Sequence, residues 1–277
     1  MTRNEQPASD YRSQVSAPSG VLLSTDEPAA FALENAQGAS PFVLTCDHAS
    51  CRVPRKLASL GLSAEQLSGH IGWDIGAADV ARLLAQQLDA PLILQNYSRL
   101  VIDCNRPPNS SESIPVASDS VRVPGNEHLD DAAIGGRRRE IFDPYHASLR
   151  SMLEQRIAAN RTVVVIAVHS FTPTMGGVAR PWHVGVMYRK SRFALVLLNT
   201  LRQNAELLIG DNQPYAIEDG IDYSIPHHCE SRGIAHAGLE IRQDLIFDAA
   251  RHQAWATMLC EALHQAFART NDQAQPA

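Results

Sequence analysis

Apolar runs without alternation recur along the chain, and each ends abruptly in polar residues. The clearest runs from Val163 to Val168, six apolar residues of which five are β-branched. That pattern predicts a strand buried on both faces, as in a parallel sheet covered by helices. His169 and Ser170 follow it directly, then a loop holding Pro173, Gly176 and Gly177. A second run in PFVLTCDHAS, Pro41 to Ser50, delivers Asp47 and His48. A third in RLVIDCNRPP predicts a strand from Leu100 to Ile102 that leads through Asp103 and Cys104 to Asn105 and Arg106, stopped by Pro107 and Pro108. If these strands are neighbours and parallel, their polar ends meet in the crevice where open α/β sheets collect ligands.

Between the strands the period changes to that of helices. Leu57 to Gly69 predicts a short helix with Ser63 as N-cap and Gln66 at the capping-box position. Asp74 to Leu88 carries a broad apolar stripe, with Asp74 placed to cap its first turn. A strand is expected from Leu92 to Gln95. A helix is expected from Arg137 to about Ala159, with Pro144 marking a kink or a later start. HVGVMY, His183 to Tyr188, alternates like a strand, Arg192 to Leu208 reads as a helix, and GLEIR, Gly238 to Arg242, as a short strand. Ala249 to Arg269 closes the chain with a helix. Pro107 to Gly136 lacks periodicity, and a loop of that length inside a compact domain is usually functional, often a lid. Strands alternating with helices predict an α/β fold, a sandwich with a mixed, mostly parallel sheet. One domain is expected over 21–270, with a disordered N-terminal tail at 1–20 and a flexible C-terminal tail at 271–277.

Composition narrows the function. With 44% hydrophobic and 19% charged residues in 277, the chain reads as an ordinary soluble protein. A net charge of −6 argues against nucleic acid as partner. The densest basic cluster, RRRE at Arg137 to Glu140, reads as a solvated helix face. No apolar run is long enough to span a membrane, and the polar N-terminus lacks the apolar core of a signal peptide. The five cysteines show no CxxC spacing, so reduced thiols in a cytoplasmic protein are expected. Cys46 and Cys104, placed within predicted strands, read as small buried apolar residues.

The polar strand ends allow metal hydrolysis. A catalytic zinc takes three protein ligands from His, Asp or Glu and keeps one position open. His48 and His169 are the best-placed nitrogens, and Asp74 is the preferred third ligand against its reading as a plain N-cap. His70 and Cys51 are the alternates. Glu240, in the apolar strand GLEIR, is either a general base or the partner of Arg242 on the same face. Arg99, Arg106, Arg180 and Arg232 are candidate anion binders, because a guanidinium grips a carboxylate with a two-pronged fork.

CDHAS, HIGWDIG, SRLVIDCNRP, FDPYH, AVHSFTP, ARPWHVGV, GDNQPY and LEIRQDLI together resemble the N-formylglutamate amidohydrolase family, over roughly Val43 to Phe247. That family is similar in layout to zinc carboxypeptidases and aspartoacylase-like deacylases, which implies a three-layer α/β/α fold. The resemblance implies that His48, Asp74 and His169 hold Zn2+ or another divalent metal and that Glu240 is the general base. It further implies that Arg99 faces the oxyanion and that Asn105 with Arg106 grips a carboxylate of a small N-acyl amino acid. Two features depart from these patterns. Cys51 stands where carboxypeptidase-like sites have the Glu of His-x-x-Glu, and where close relatives are expected to have Asn. Two readings therefore stand beside formylglutamate hydrolysis: hydrolysis of another N-acyl amino acid or small peptide, and non-catalytic binding of a small anion or metal. A cysteine hydrolase using Cys51 is a third.

Overall fold

The computed structural model describes residues 21–272. The tail expected at 1–20 and residues 273–277 lie outside the described residues. Seven strands form the main sheet: β1 Phe31–Glu34, β2 Phe42–Cys46, β3 Leu92–Gln95, β4 Val164–Phe171, β5 Val184–Met187, β6 Ile209–Asp211 and β7 Ala235–Arg242. Their spatial order is β1-β3-β2-β4-β7-β5-β6. The central four, β3, β2, β4 and β7, are mutually parallel. β1 and β5 run antiparallel to β3 and β7, and β6 lies parallel to β5.

Strand residues divide between two apolar layers by simple alternation. Val164, Ile166 and Val168 of β4 join Phe42, Leu44, Leu239 and Ile241 under three helices, α1 Ala77–Leu88, α3 Arg192–Leu201 and α4 Ala249–Asp272. Val165 and Ala167 point to the other layer, against α2 Asp143–Ala158, where Tyr145, Leu149 and Leu153 are buried. The result is a three-layer α/β/α sandwich with a mixed, mostly parallel sheet. Because β2, β4 and β7 share one direction, their carboxyl ends lie along one edge, and the polar residues that follow them are brought together there.

Several local expectations hold. The helix Ala64–Ser68 has Ser63 as N-cap with Gln66 completing a reciprocal capping box. β3 and β5 fall where the pattern placed them, while β7 begins earlier than expected, at Ala235. The helix expected to Leu208 ends at Leu201.

Three expectations are corrected. Leu100 to Ile102 is not a strand. The three side chains are buried, but the backbone turns, and side chains satisfy its carbonyls: Asn126 Nδ2 donates to Leu100 O and Arg137 Nη1 to Val101 O. A three-residue apolar run reports burial without fixing conformation. The basic cluster is not uniformly solvated, since Arg137 is 1% exposed and also donates to Asn126 Oδ1 and Gly125 O. The long helix expected from Arg137 is composite. Asp131–Arg137 passes through a widened π-turn, Arg138–Phe142, into α2. Pro144 sits in the first turn of α2, and the wide turn accommodates its missing N–H.

Candidate active site

β2 ends by presenting Asp47 and His48, β4 presents His169 and Ser170, and Glu240 of β7 lies beside His169 in register. The fourth contribution comes from the turn before α1. Asp74 N donates to His48 O at 3.0 Å, and Ser170 Oγ donates to Ile75 O at 2.8 Å, which pins that turn onto the strand ends. Gly76 then caps α1 with φ of 78°, and a Cβ there would collide with the Ile246 carbonyl. The side chain of Asp74 therefore does not cap the helix. It points into the sheet edge, where Oδ2 meets His169 Nδ1 at 2.9 Å and His48 Nδ1 at 3.3 Å.

His48, Asp74 and His169 are all buried, and each offers a ligand atom within 4.8 Å of the others. The donor chemistry fits a cation. Asp103 Oδ1 lies 2.8 Å from His48 Nε2, so a proton held there by Asp103 makes Nδ1 the nitrogen that can offer a lone pair to a cation. Two imidazole nitrogens thus converge on one carboxylate oxygen, an arrangement that needs a proton or a metal between them. Burial opposes ionisation of Asp74, but the two histidines overcome it and hold its carboxyl far below the usual range. Burial likewise opposes charge on His169, yet Asp74 carries it up to about 9. A carboxylate behind a metal-binding imidazole is the usual outer partner, fixing tautomer and ring angle. His70 and Cys51 do not join this set: His70 pairs with Asp119 at 3.0 Å, and Cys51 is not among the residues that line the cavity.

Glu240 is 5% exposed, and its Oε2 has no hydrogen-bond partner among the described residues. Burial, only partly offset by His169, raises its carboxyl to about 7. The alternative pairing with Arg242 is not formed. Arg242 donates instead to Asp244 at 2.8 Å and to Pro181 O at 3.1 Å.

These groups open into a cavity of about 500 Å³. Arg99 lines it, its Nη2 and Nε donating to Asp103 Oδ2 at 2.8 and 3.1 Å and its Nη1 lying 3.5 Å from Asp74 Oδ1. Arg106 lines it too, its Nη1 held by Asp222 at 3.1 Å. Asn105 also lines the cavity, but its amide oxygen accepts from the backbone N–H groups of Tyr223 and Ser224, and its Nδ2 donates to Asp222. Arg180 approaches the site through Tyr215, a lining residue to whose hydroxyl it donates at 2.9 Å. Arg232 is not brought in. It stands at the amino end of β7, opposite to Glu240, with Glu154 as its nearest carboxylate.

Two residues escaped the sequence reading. Asp103 joins His48 to Arg99, and its signal was a carboxylate ending an apolar run four residues after an arginine. Tyr145, in the FDPYH segment, donates its hydroxyl to Asp47 Oδ1, and Asp47 Oδ2 lies 3.9 Å from His169 Nε2. Nothing local marks that contact, since it joins β2 to α2 across the layers.

Fold and site together define an α/β/α protein with a buried candidate metal centre at the carboxyl edge of its parallel strands. The family model described as N-formylglutamate amidohydrolase matches residues 40–247, and the chain belongs to that family of hydrolases acting on amide C–N bonds. Among solved structures, a gene product of Agrobacterium tumefaciens is 37% identical with a TM-score of 0.88, the match covering 90% of this chain and 99% of that one. An N-formylglutamate amidohydrolase from Ralstonia eutropha shares the fold at 18% identity and a TM-score of 0.60, covering 89% and 98%. No curated protein sequence matches the chain significantly. No helix among the described residues is long and apolar enough to cross a membrane.

Proposed function

We propose that the protein is a cytoplasmic, zinc-dependent amidohydrolase that cleaves the amide of a small N-acyl amino acid, N-formyl-L-glutamate, to formate and glutamate. The observation that carries this reading is Glu240: a buried carboxyl without a partner, beside the His48–Asp74–His169 cluster and in the same cavity. A carboxylate left unpaired in an apolar strand costs stability, and such groups concentrate at functional sites.

In this reading His48, Asp74 and His169 hold the metal, with Asp103 behind His48. Bound there, a divalent ion supplies Lewis acidity toward the acyl carbonyl and the attacking water. Glu240 Oε2 accepts a proton from that water and passes it to the leaving amine nitrogen. Arg99 Nη1, which Asp103 does not take and Asp74 Oδ1 holds only at 3.5 Å, faces the negative charge that develops on the acyl oxygen. Arg106 receives a substrate carboxylate. Asn105, committed to the backbone of 223–224, supports this wall of the cavity, and Arg180 steadies Tyr215.

Elemental analysis of the purified protein, combined with a hydrolysis screen across N-acyl amino acids, tests the reading. Stoichiometric zinc and turnover of N-formyl-L-glutamate are expected. Turnover confined to other acyl groups would keep the chemistry and replace the substrate, while a metal-free, inactive protein would end the reading.

A further inference from the structure

One wall of the cavity is a short strap of chain, 213–222, and it is fastened at both ends. At one end Gln213 lies against Gly185 and Gly210, where a Cβ on either glycine would collide with its carbonyl. The next residues bring Tyr215 to the cavity, braced by Arg180. At the other end Asp222 makes three bonds. Its Oδ2 accepts from Glu218 N at 2.9 Å, and its Oδ1 accepts from Arg106 Nη1 at 3.1 Å and Asn105 Nδ2 at 3.3 Å. The Asp222 carboxylate and the Arg106 guanidinium are both largely covered, at 18% and 22% exposed.

Asp222 holds Arg106 by one prong. Nη1 is used twice, by Asp222 and by the Asn105 carbonyl at 3.1 Å, whereas Nη2 and Nε make no hydrogen bond among the described residues. A guanidinium offers two parallel forks, Nη1 with Nη2 and Nη2 with Nε. Fixing Nη1 removes rotation about the long side chain and leaves the Nη2–Nε fork for a second carboxylate. A carboxylate that merely filled the binding fork would instead take both prongs.

We infer that Asp222 is a specificity-determining positioning residue: it anchors Nη1 of Arg106 so that the remaining fork selects substrates bearing a free carboxylate. The inference rests on the amidohydrolase reading above for the identity of the substrate, but not for the geometry of the fork. Asp222 also lowers the net positive charge at this wall, so selection depends on the two-pronged geometry more than on attraction alone.

Asp222→Asn tests it, because asparagine keeps the size and an acceptor for Glu218 N while losing the charge that holds Arg106. Turnover of N-formyl-L-glutamate by the zinc-loaded variant should show KM raised about tenfold, with kcat within about twofold of wild type. One charge-assisted hydrogen bond of this partly covered kind corresponds to that ratio. KM for the neutral diamide of the same compound should not move. In an Arg106→Gln background the effect of the substitution should shrink to what the Asn105 and Glu218 contacts contribute, since the pair with Arg106 is already gone. Calorimetric binding of glutarate, a dicarboxylate that is not hydrolysed, gives a readout independent of turnover and should weaken by a similar factor. Failure of hydrolysis with glutarate binding weakened in the variant would count against the amidohydrolase reading alone. Glutarate binding that is unchanged or tighter in Asp222→Asn, or absent from the wild type, would overturn the positioning role. Tighter binding would identify Asp222 as a competitor for the fork.

Discussion

Glu240→Gln keeps the shape of the side chain and removes its ability to hold a proton for transfer, so it separates catalysis from architecture at one atom. In the metal-free protein the Glu240 carboxyl titrates near 7, against 4.5 when exposed. Well below pH 4.5 the group is protonated in both folded and unfolded chains and has no effect on stability. As pH rises toward 7 the unfolded chain ionises first, and the metal-free fold loses about 3 kcal/mol that glutamine does not lose. No cation is orphaned by the change, because Arg242 is bonded to Asp244 and Pro181 and His169 keeps Asp74 at 2.9 Å. The metal-free variant should therefore melt close to the wild-type temperature at pH 4.5 and at a higher one at pH 8. Zinc content should match wild type. Loss of a general base lowers kcat about 10²–10⁴-fold, or roughly 3 to 5 kcal/mol of transition-state stabilisation. In the wild type, kcat/KM should rise with pH along an acid limb lying between 4.5 and 7, because a bound cation draws the carboxyl down from its metal-free value. The residual activity of the variant should lack that limb. A folded, zinc-loaded Glu240→Gln protein with near-normal kcat would refute the general-base role, and a large loss of stability at pH 8 would show that the carboxylate has a structural partner.

Three further substitutions probe the supports of the site. Asp74→Asn should leave thermal stability of α1 intact, since Gly76 caps that helix, yet weaken zinc binding by more than the roughly 10–100-fold typical of outer partners; a chelator competition measures it, and unchanged affinity would remove Asp74 from the ligand set. Arg106→Lys keeps the charge and loses the fork, so KM for N-formyl-L-glutamate should rise strongly while a neutral amide is unaffected. Tyr145→Phe leaves the buried Asp47 without its hydrogen-bond donor and should cost about 1–3 kcal/mol in urea denaturation; no change in the midpoint would mean that another group satisfies Asp47.

The chain's own pattern determined the layers and the places where chemistry begins. An unbroken, β-branched apolar run as long as Val163 to Val168 favours a strand covered on both faces, and the 3.6-residue stripes between such runs face the sheet they form. Strands of that kind in an α/β alternation run largely parallel, so the convergence of His48 and His169 at one edge was legible from their positions alone. The capping box at Ser63 and Gln66 was equally legible, because it is made within four consecutive residues. Tertiary structure decided everything that depends on which segments become neighbours. It turned Leu100 to Ile102 away from the sheet by giving the carbonyls of Leu100 and Val101 to Asn126 and Arg137, and it buried an arginine that its own neighbours in sequence mark as solvated. It chose between cap and cluster for Asp74 by spending the cap position on Gly76, and it placed Arg232 at the far end of the strand that carries Glu240. The contacts of Asp103 with His48, of Tyr145 with Asp47 and of Asp222 with Arg106 were beyond reach for the same reason. Hydrophobic periodicity reports how a residue is buried, whereas a hydrogen bond between residues 55, 98 or 116 positions apart depends on how separate layers dock, and no local pattern encodes that.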